Sequence, residues 1–391
     1  MSSKKKIAVL GLGVHQLDAL KYVKKFYFII GFDEDKLCPG KKYVKKFYHL
    51  GLNNKKEIIN ICKREKVLFA VSFCTEFFLK LSNEINSKIN KQSDLKIVKK
   101  ISNKKICKNE INKSDPSILP KFLLINKKNY KKPIFKKLLP VVIKPIYGSG
   151  SKGVTYCKTQ KNLIEIFKNN KKLYGKDALV EKYISGIEYA IDGWVYKKEF
   201  KFCCLSKKKT SKKPFMLDTS LIINYSNYKL IDLGKALVEK LIKIFNLHNV
   251  PVHVEFKINK GIPKLIDFSI RGPGFGVYTN IMRKIMGINT AKIQIDLMRD
   301  KKINFKNKKK NLFYLHFLYS QPGKIVKFEG LDQIKDKYSP EIKIFKKIGD
   351  ISEGYQSGKD RIGQLIVEDK NIHNLKKKIK FIKKNLKIHV K

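Results

Sequence analysis

The sequence predicts an α/β chain of three units. An N-terminal doubly wound parallel sheet is followed by a central two-lobed α+β unit and a small C-terminal α+β unit. Three observations carry this. Strand-length apolar runs alternate with helical spacing over residues 1 to about 100. Paired strands separated by turn signals follow. The lysine-rich stretch 301–310 then precedes a last set of strands closed by an amphipathic helix. A length of 391 residues suits two to three domains. Hydrophobic residues make up 43%, enough for real cores. The expected boundaries are 1–102, 103–305 and 306–391.

In the first unit, residues 7–10 (Ile-Ala-Val-Leu) read as a strand and Gly11-Leu12-Gly13 as a turn into a helix ending near Lys25. Residues 27–32 form a second strand, ending in Asp33-Glu34-Asp35. Ile58, Ile59 and Cys62 give 55–65 helical spacing; 67–73 is a third strand and 75–88 a further helix. Gly11, Gly13 and Asp33 make a partial dinucleotide fingerprint, with Gln16 where its third glycine belongs. Two readings stay open there: nicotinamide binding, or a tight βα turn in a nucleotide-binding-like fold that carries no nicotinamide. Lys-Tyr-Val-Lys-Lys-Phe-Tyr occurs at 21–27 and again at 42–48, and two copies do not make a repeat array.

In the second unit, Val141–Ile143 is a strand that delivers Lys144 to the loop Gly148-Ser149-Gly150-Ser151-Lys152-Gly153. Small residues let backbone N–H groups close over phosphate oxygens, and a lysine at a strand end offers a fixed positive charge. Residues 163–168 are helical; 178–183, 188–195 and 200–205 are strands; 231–245 is an amphipathic helix. Strands 252–258 and 264–270 flank the hairpin signal Asn259-Lys260-Gly261. Alternation places Asp267, Ser269 and Arg271 on one face, opposite Glu255. Two carboxylates, a hydroxyl and an arginine would be costly in a core. As hard oxygen ligands beside a phosphate-binding cation they make sense. Gly272-Pro273-Gly274-Phe275-Gly276 then reads as a flexible loop, and 272–279 as part of a substrate pocket.

The third unit has strands at 312–319, 324–328 and 363–367. Its closing helix carries Leu375, Ile379, Ile382 and Leu386 on one face, suited to packing on its own sheet.

Composition narrows the function. Lys+Arg total 86 against 33 Asp+Glu, a net charge of +53, which invites a nucleic-acid reading. Yet only five are arginines (64, 271, 283, 299, 361), and the lysines lie in every segment rather than on one face. Arginine is the usual reader of bases and phosphates, so composition bias explains the charge better than a specific nucleic-acid partner. Seven scattered cysteines without C-x-x-C or zinc spacing suggest reduced thiols and a cytoplasmic location. No apolar run reaches the ~18–20 residues of a membrane helix. The apolar run near the N-terminus is too short for a secretory signal.

The order of these elements resembles the ATP-grasp superfamily, in its carboxylate–amine (amino-acid ligase-like) branch. The matching pieces are Asn103-Lys104, V-I-K-P with G-S-G-S-K-G-V, V-E-K-Y-I-S-G-I-E, V-E-F and D-F-S-I-R. The tail 320–326, 349–350 and 360–366 is similar to the end of that branch. The resemblance implies that Lys104 and Lys144 face the phosphates of ATP, and that Gly148, Ser149, Gly150, Ser151 and Gly153 belong to the mobile glycine loop. It implies an adenine hinge at Glu181, Lys182, Tyr183 and Ile184, and a ribose contact at Glu188. Glu255, Asp267 and Ser269 match the positions that hold Mg²⁺ (or Mn²⁺), and Arg271 matches the arginine that stabilises phosphoryl transfer. The family's E-x-N-x-R is here Asp267-x-Ser269-x-Arg271, a shorter carboxylate and a weaker hydroxyl ligand. The expected activity is ATP-dependent joining of a small carboxylate to an amine or amino acid through an acyl phosphate, in a chain that could pair as a homodimer. The alternatives are a carboxylase that uses bicarbonate and a basic binding protein without catalysis.

Overall fold

The strand β1 (Lys6–Leu10) shows why the first unit is layered. Ile7 and Val9 enter one buried cluster, Ala8 and Leu10 another, so both faces of the strand are covered. The computed structural model describes residues 4–90, 93–170, 173, 176–305, 309–355 and 357–391. Residues 1–3, and 306–308 of the expected linker, lie outside the described residues. After β1 come α1 (Leu17–Val23), β2 (Phe28–Asp33), β3 (Lys46–His49), α2 (Lys55–Arg64), β4 (Ala70–Val71) and α3 (Glu76–Ile89). The sheet is parallel, in the order β3-β2-β1-β4. Two expectations need correction. Strand β3 lies in the second copy of the repeated heptapeptide, where no strand was expected. The run 67–73 pairs as a strand only at Ala70–Val71. Its outer edge is closed by the Asn86 amide, which bonds both Ala70 N and Ala70 O. Phe73 N then turns to Gln16 Oε1 at 2.9 Å, away from the ladder.

Helices α4 (Leu95–Ser102) and α5 (Lys104–Ser114) lead into the central unit. Asn103 caps α5, its side-chain oxygen accepting from Ile106 N. Strands β5 (Phe122–Ile125), β6 (Val141–Pro145) and β7 (Thr155–Cys157), helix α6 (Gln160–Asn169) and strand β8 (Ala178–Lys182) form one lobe, an antiparallel sheet in the order β5-β8-β6-β7.

The other lobe contains β9 (Glu188–Tyr196), β10 (Glu199–Thr210), β11 (Asp218–Ile223), α7 (Tyr228–Phe245), β12 (Val250–Asn259) and β13 (Ile262–Ser269). Leu237, Val238, Leu241 and Phe245 of α7 pack on Ile191, Leu205 and Val254 of the sheet. The β12–β13 turn has positive φ at Lys260 and Gly261, the primed geometry that the hairpin signal requires. The segment expected to be a flexible pocket loop is partly helical. Val277–Met282 form a π-helical turn in which all six residues are buried. The short α8 (Arg283–Met286) and α9 (Thr290–Met298) follow.

The remaining elements are β14 (Leu312–Leu318), β15 (Gly323–Glu329), α10 (Leu331–Tyr338), β16 (Glu341–Ile344), β17 (Ile351–Ser352), β18 (Gly363–Asp369), α11 (Ile372–Asn385) and β19 (Lys387–Val390). Strand β14 pairs with β11, so one eight-stranded sheet runs β13-β12-β9-β10-β11-β14-β18-β16 through the central and C-terminal units. Leu375, Ile379 and Ile382 of α11 pack on Leu312, Tyr314, Leu365 and Val367 of that sheet. No helix among the described residues is long and apolar enough to cross a membrane.

Candidate active site

A cavity of ≈ 360 Å³ opens between the two central lobes. Every residue expected at the site lines it except Gly153, which packs behind the glycine loop against Pro145. The cavity has two electrically distinct ends.

At one end, β6 delivers Lys144 and β8 delivers Glu181, diagonal neighbours in the antiparallel ladder, where Lys144 pairs with Leu179 and Glu181 with Val142. Lys144 Nζ lies 2.8 Å from Glu181 Oε1 and donates to Ile266 O at 3.0 Å. Lys108 Nζ reaches the same carboxylate oxygen at 3.2 Å. All three residues are buried. Burial, reinforced by the Lys144 charge and opposed by Glu181, holds Lys108 below the usual lysine range. Two ammonium groups share one carboxylate, which leaves a surplus positive charge suited to an anion. Lys108 was not foreseen, although it sits one helical turn after Lys104 on α5. The glycine loop runs beside this end, with positive φ at Gly148, Ser151 and Gly150 and open space where Cβ atoms on Gly148 and Gly150 would stand. That backbone can approach a phosphate closely.

At the other end, Glu255 of β12 and Asp267 of β13 are direct cross-strand partners. Lys104 Nζ lies 2.5 Å from Asp267 Oδ1. Burial alone would lower Lys104, but the charge and hydrogen bond of Asp267 hold it above the usual range. Lys208 Nζ contacts Glu188 at 2.6 Å, Glu255 at 2.5 Å and Asp218 at 3.2 Å. Burial would raise Glu255, yet Lys208 and His253 keep it well below the usual carboxylate range. Glu188 is pushed up by burial and by the nearby Glu255 and Asp218 charges, against the pull of Lys208. His253 bridges Asp192 at 2.7 Å and Glu255 at 3.4 Å. Burial opposes its charge, but the Asp192 charge and the bonds to both carboxylates raise it to about 9.

Three carboxylates around one lysine, with Asp267 adjacent, form an oxygen-rich end of the donor chemistry that hard divalent cations take. Glu255 and Asp267 raise the energy of each other's charged forms, which a shared cation would relieve. In the present arrangement lysines hold these carboxylates. Among the described residues no group of three or more His, Cys, Asp or Glu is arranged to hold a metal. Ser269 is buried on the same strand as Asp267.

Arg271 also lines the cavity; its Nε donates to Glu76 Oε2 at 2.8 Å and its Nη1 to Gly272 O at 2.8 Å. Glu76, at the start of α3, was not foreseen. Nor were Lys208, hidden within Lys207-Lys208-Lys209, or the Asp192–His253 pair, whose residues lie far apart in sequence. At the expected hinge, the Lys182 and Tyr183 amides bond Lys121 O at 2.8 Å and Pro140 O at 2.9 Å, and Lys257 Nζ reaches Ile184 O at 3.4 Å. Lys213 sits over the Tyr183 ring, 4.3 Å from its centroid.

The N-terminal glycine turn is occupied by its own chain. Gln16 Nε2 donates to Leu10 O at 3.1 Å and to Gly11 O, and Leu12 N donates to Asp33 Oδ2 at 2.6 Å. The groups that a dinucleotide would need are spent on closing the turn.

The family model described as ATP-grasp domain matches residues 137–275, which hold the glycine loop, Glu188 and the β12–β13 carboxylates. The model described as L-amino acid ligase C-terminal domain 2 matches residues 316–391. The chain is similar to dapdiamide A synthase of Enterobacter agglomerans, at 23% identity over 224 residues, covering 51% of this chain and 53% of that protein. The match thus spans about half the length of the curated relative. Over its full length the chain is similar in structure to the L-amino acid ligase from Bacillus licheniformis, with a TM-score of 0.82, 16% identity and 100% of both chains covered. It is also similar to phosphoribosylglycinamide synthetase from Anaerococcus prevotii, with a TM-score of 0.74, 18% identity and 100% of both chains covered. With the cleft between two lobes and both family models in chain order, residues 137–275 match an ATP-grasp domain and residues 316–391 the C-terminal domain of L-amino acid ligases.

Proposed function

We propose that this protein is an ATP-dependent ligase that activates a small carboxylate as an acyl phosphate and joins it to an amine or amino acid. One observation carries the reading: a lysine-rich, anion-attracting cluster around Glu181 and a carboxylate-rich cluster around Lys208 line one cavity together with Arg271. Lys144, backed by Lys108, holds the phosphates of ATP, and the glycine loop covers them. Glu188 takes the ribose, and the segment from Glu181 to Ile184 lies along the adenine. Glu255 and Asp267, with Ser269 beside them, would hold Mg²⁺, which when bound neutralises phosphate charge. Arg271 leaves Glu76 to meet the carboxylate oxygen and the phosphoryl group as charge shifts between them. The bond from the γ-phosphorus to the β-bridging oxygen breaks as the carboxylate oxygen bonds to that phosphorus, giving ADP and the acyl phosphate. The amine then attacks the acyl carbon and expels phosphate. Catalysis is positioning and charge neutralisation. The seven free, buried cysteines support a reducing, cytoplasmic setting.

The test is release of ADP and phosphate from Mg-ATP across a matrix of amino acids, small carboxylates and bicarbonate. Release that needs one acid and one amine is expected. Release with bicarbonate alone would favour the carboxylase alternative, and none with any pair would count against the ligase. Arg271→Ala should keep nucleotide binding and lose about 10²–10³ in turnover. Near-normal turnover in that variant would remove Arg271 from its assigned role.

A further inference from the structure

Five of the 86 cationic side chains are arginines, and two of these, Arg271 and Arg361, converge on the loop that carries Phe275. The Arg361 guanidinium lies 3.5 Å from the Phe275 ring centroid and 3.6 Å from that of Phe317. It sits in the corner of two rings that meet edge to face, their centroids 5.4 Å apart and their planes 71° to each other, so both π systems face the cation. Both rings line the catalytic cavity. Arg361 is 5% exposed. Among the described residues its one hydrogen bond runs from Nε to Tyr319 Oη at 2.9 Å, and its buried Nη1 has no partner. Asp218, whose charge reaches Arg361, is committed to Lys208 at 3.2 Å. A buried cation without its own anion is costly, so a partner from outside is called for.

The surroundings say where that partner sits. A Cβ on Gly358 would stand 3.2 Å from Gly150 O of the glycine loop and 3.6 Å from Arg361 Nη1. Gly358 N donates to Gly150 O at 3.3 Å. Gly358 therefore packs closely between the guanidinium and the tip of the glycine loop, and Arg361 stands behind the two rings rather than in the cavity lining itself.

Resting on the ligase reading, we propose that Arg361 recognises a carboxylate that the reaction leaves untouched, carried by the amino-acid substrate. The substrate enters with the glycine loop raised, and loop closure encloses the pair. The reacting carboxylate belongs to Arg271 at the other side of Phe275; Arg361 reads the spectator.

The test compares an amino-acid substrate with its carboxamide, in the wild type and in Arg361→Lys. The wild type should prefer the free acid, and the variant should lose on the order of 10²-fold in kcat/KM for the acid. Neither the KM for ATP nor the rate with the amide should change. The same comparison by thermal shift with Mg-ADP, over a panel of amino acids and their amides, needs no turnover. There the free acid should raise Tm more than the amide in the wild type only. If Arg361→Lys melts early, Phe317→Leu, which removes one wall of the aromatic corner, should raise the KM for the acid several-fold. A variant that keeps the acid-over-amide preference overturns the proposal, as does a wild type that lacks it. A variant that loses ATP affinity instead would make the partner a phosphate, again overturning it. Absence of ligation in the wild type counts against the ligase alone, since the thermal shift still decides the role of Arg361.

Discussion

The two ends of the cleft use the same side chains in opposite proportions. Around Glu181, two lysines share one carboxylate; around Lys208, three carboxylates meet one lysine, with Lys257 3.7 Å from Glu188 and His253 3.4 Å from Glu255 at the margin. The Glu181 group is buried, the carboxylates around Lys208 are partly buried, and each group is unbalanced, so neither is a structural ion pair that has settled its own charge. The first lacks an anion and the second lacks a cation, which is the polarity of a metal nucleotide complex laid between them. In a chain with a net charge of +53, the carboxylate-rich end stands out more. Its acids are gathered from β9, β11 and β12, three different strands of one sheet.

The largest expected effect comes from removing the minority member of each group. Lys208→Met leaves Glu188, Asp218 and Glu255 facing one another and should cost about 3–5 kcal/mol of stability at neutral pH. Millimolar Mg²⁺ or mild acid should restore part of the loss. Glu181→Gln should be destabilising in the same range, but phosphate or ATP should restore it and Mg²⁺ should not. Denaturant unfolding of the two variants with each ion decides the matter; equal rescue by both ions breaks the comparison.

A smaller effect is expected from Glu188→Ala, which trims the majority partner. Stability should move by about 1 kcal/mol or less. ATP affinity, read by calorimetry, should fall roughly tenfold while turnover at saturation stays close to normal. Unchanged affinity would remove the ribose contact.

The smallest effect is a slope. Lys108 is held below the usual lysine range in the fold, so below that range the unfolded chain binds more protons. Stability from this group therefore rises with pH toward the unfolded value of 10.5. Lys108→Met should flatten that rise in alkaline unfolding curves.

Much of this site is legible in the primary structure because it is local. V-I-K-P and the glycine loop are contiguous, and the Glu255 and Asp267 pairing follows from strand alternation plus one hairpin turn. What stays hidden is assembled from a distance. Glu76 reaches Arg271 across 195 positions, and Lys208 is one of three consecutive lysines with nothing local to mark it. The repeated heptapeptide makes the point for the fold. At 21–27 it ends α1 and turns into β2; at 42–48 it ends in strand β3, paired with β2. Seven identical residues took two structures because tertiary pairing outweighs weak local propensity.

The eight-stranded sheet has a consequence for anyone who would treat the C-terminal part as a detachable module. Strand β14 closes the edge of β11 through Ser220–Ile223, so cutting the chain before it would bare a row of unpaired amides and carbonyls beside the active cleft. Chimeras that borrow this tail from a related ligase must match a hydrogen-bonding register, not merely a linker length. Inheritance of the tail is thereby tied to inheritance of the sheet that holds Lys208, Glu188 and Glu255.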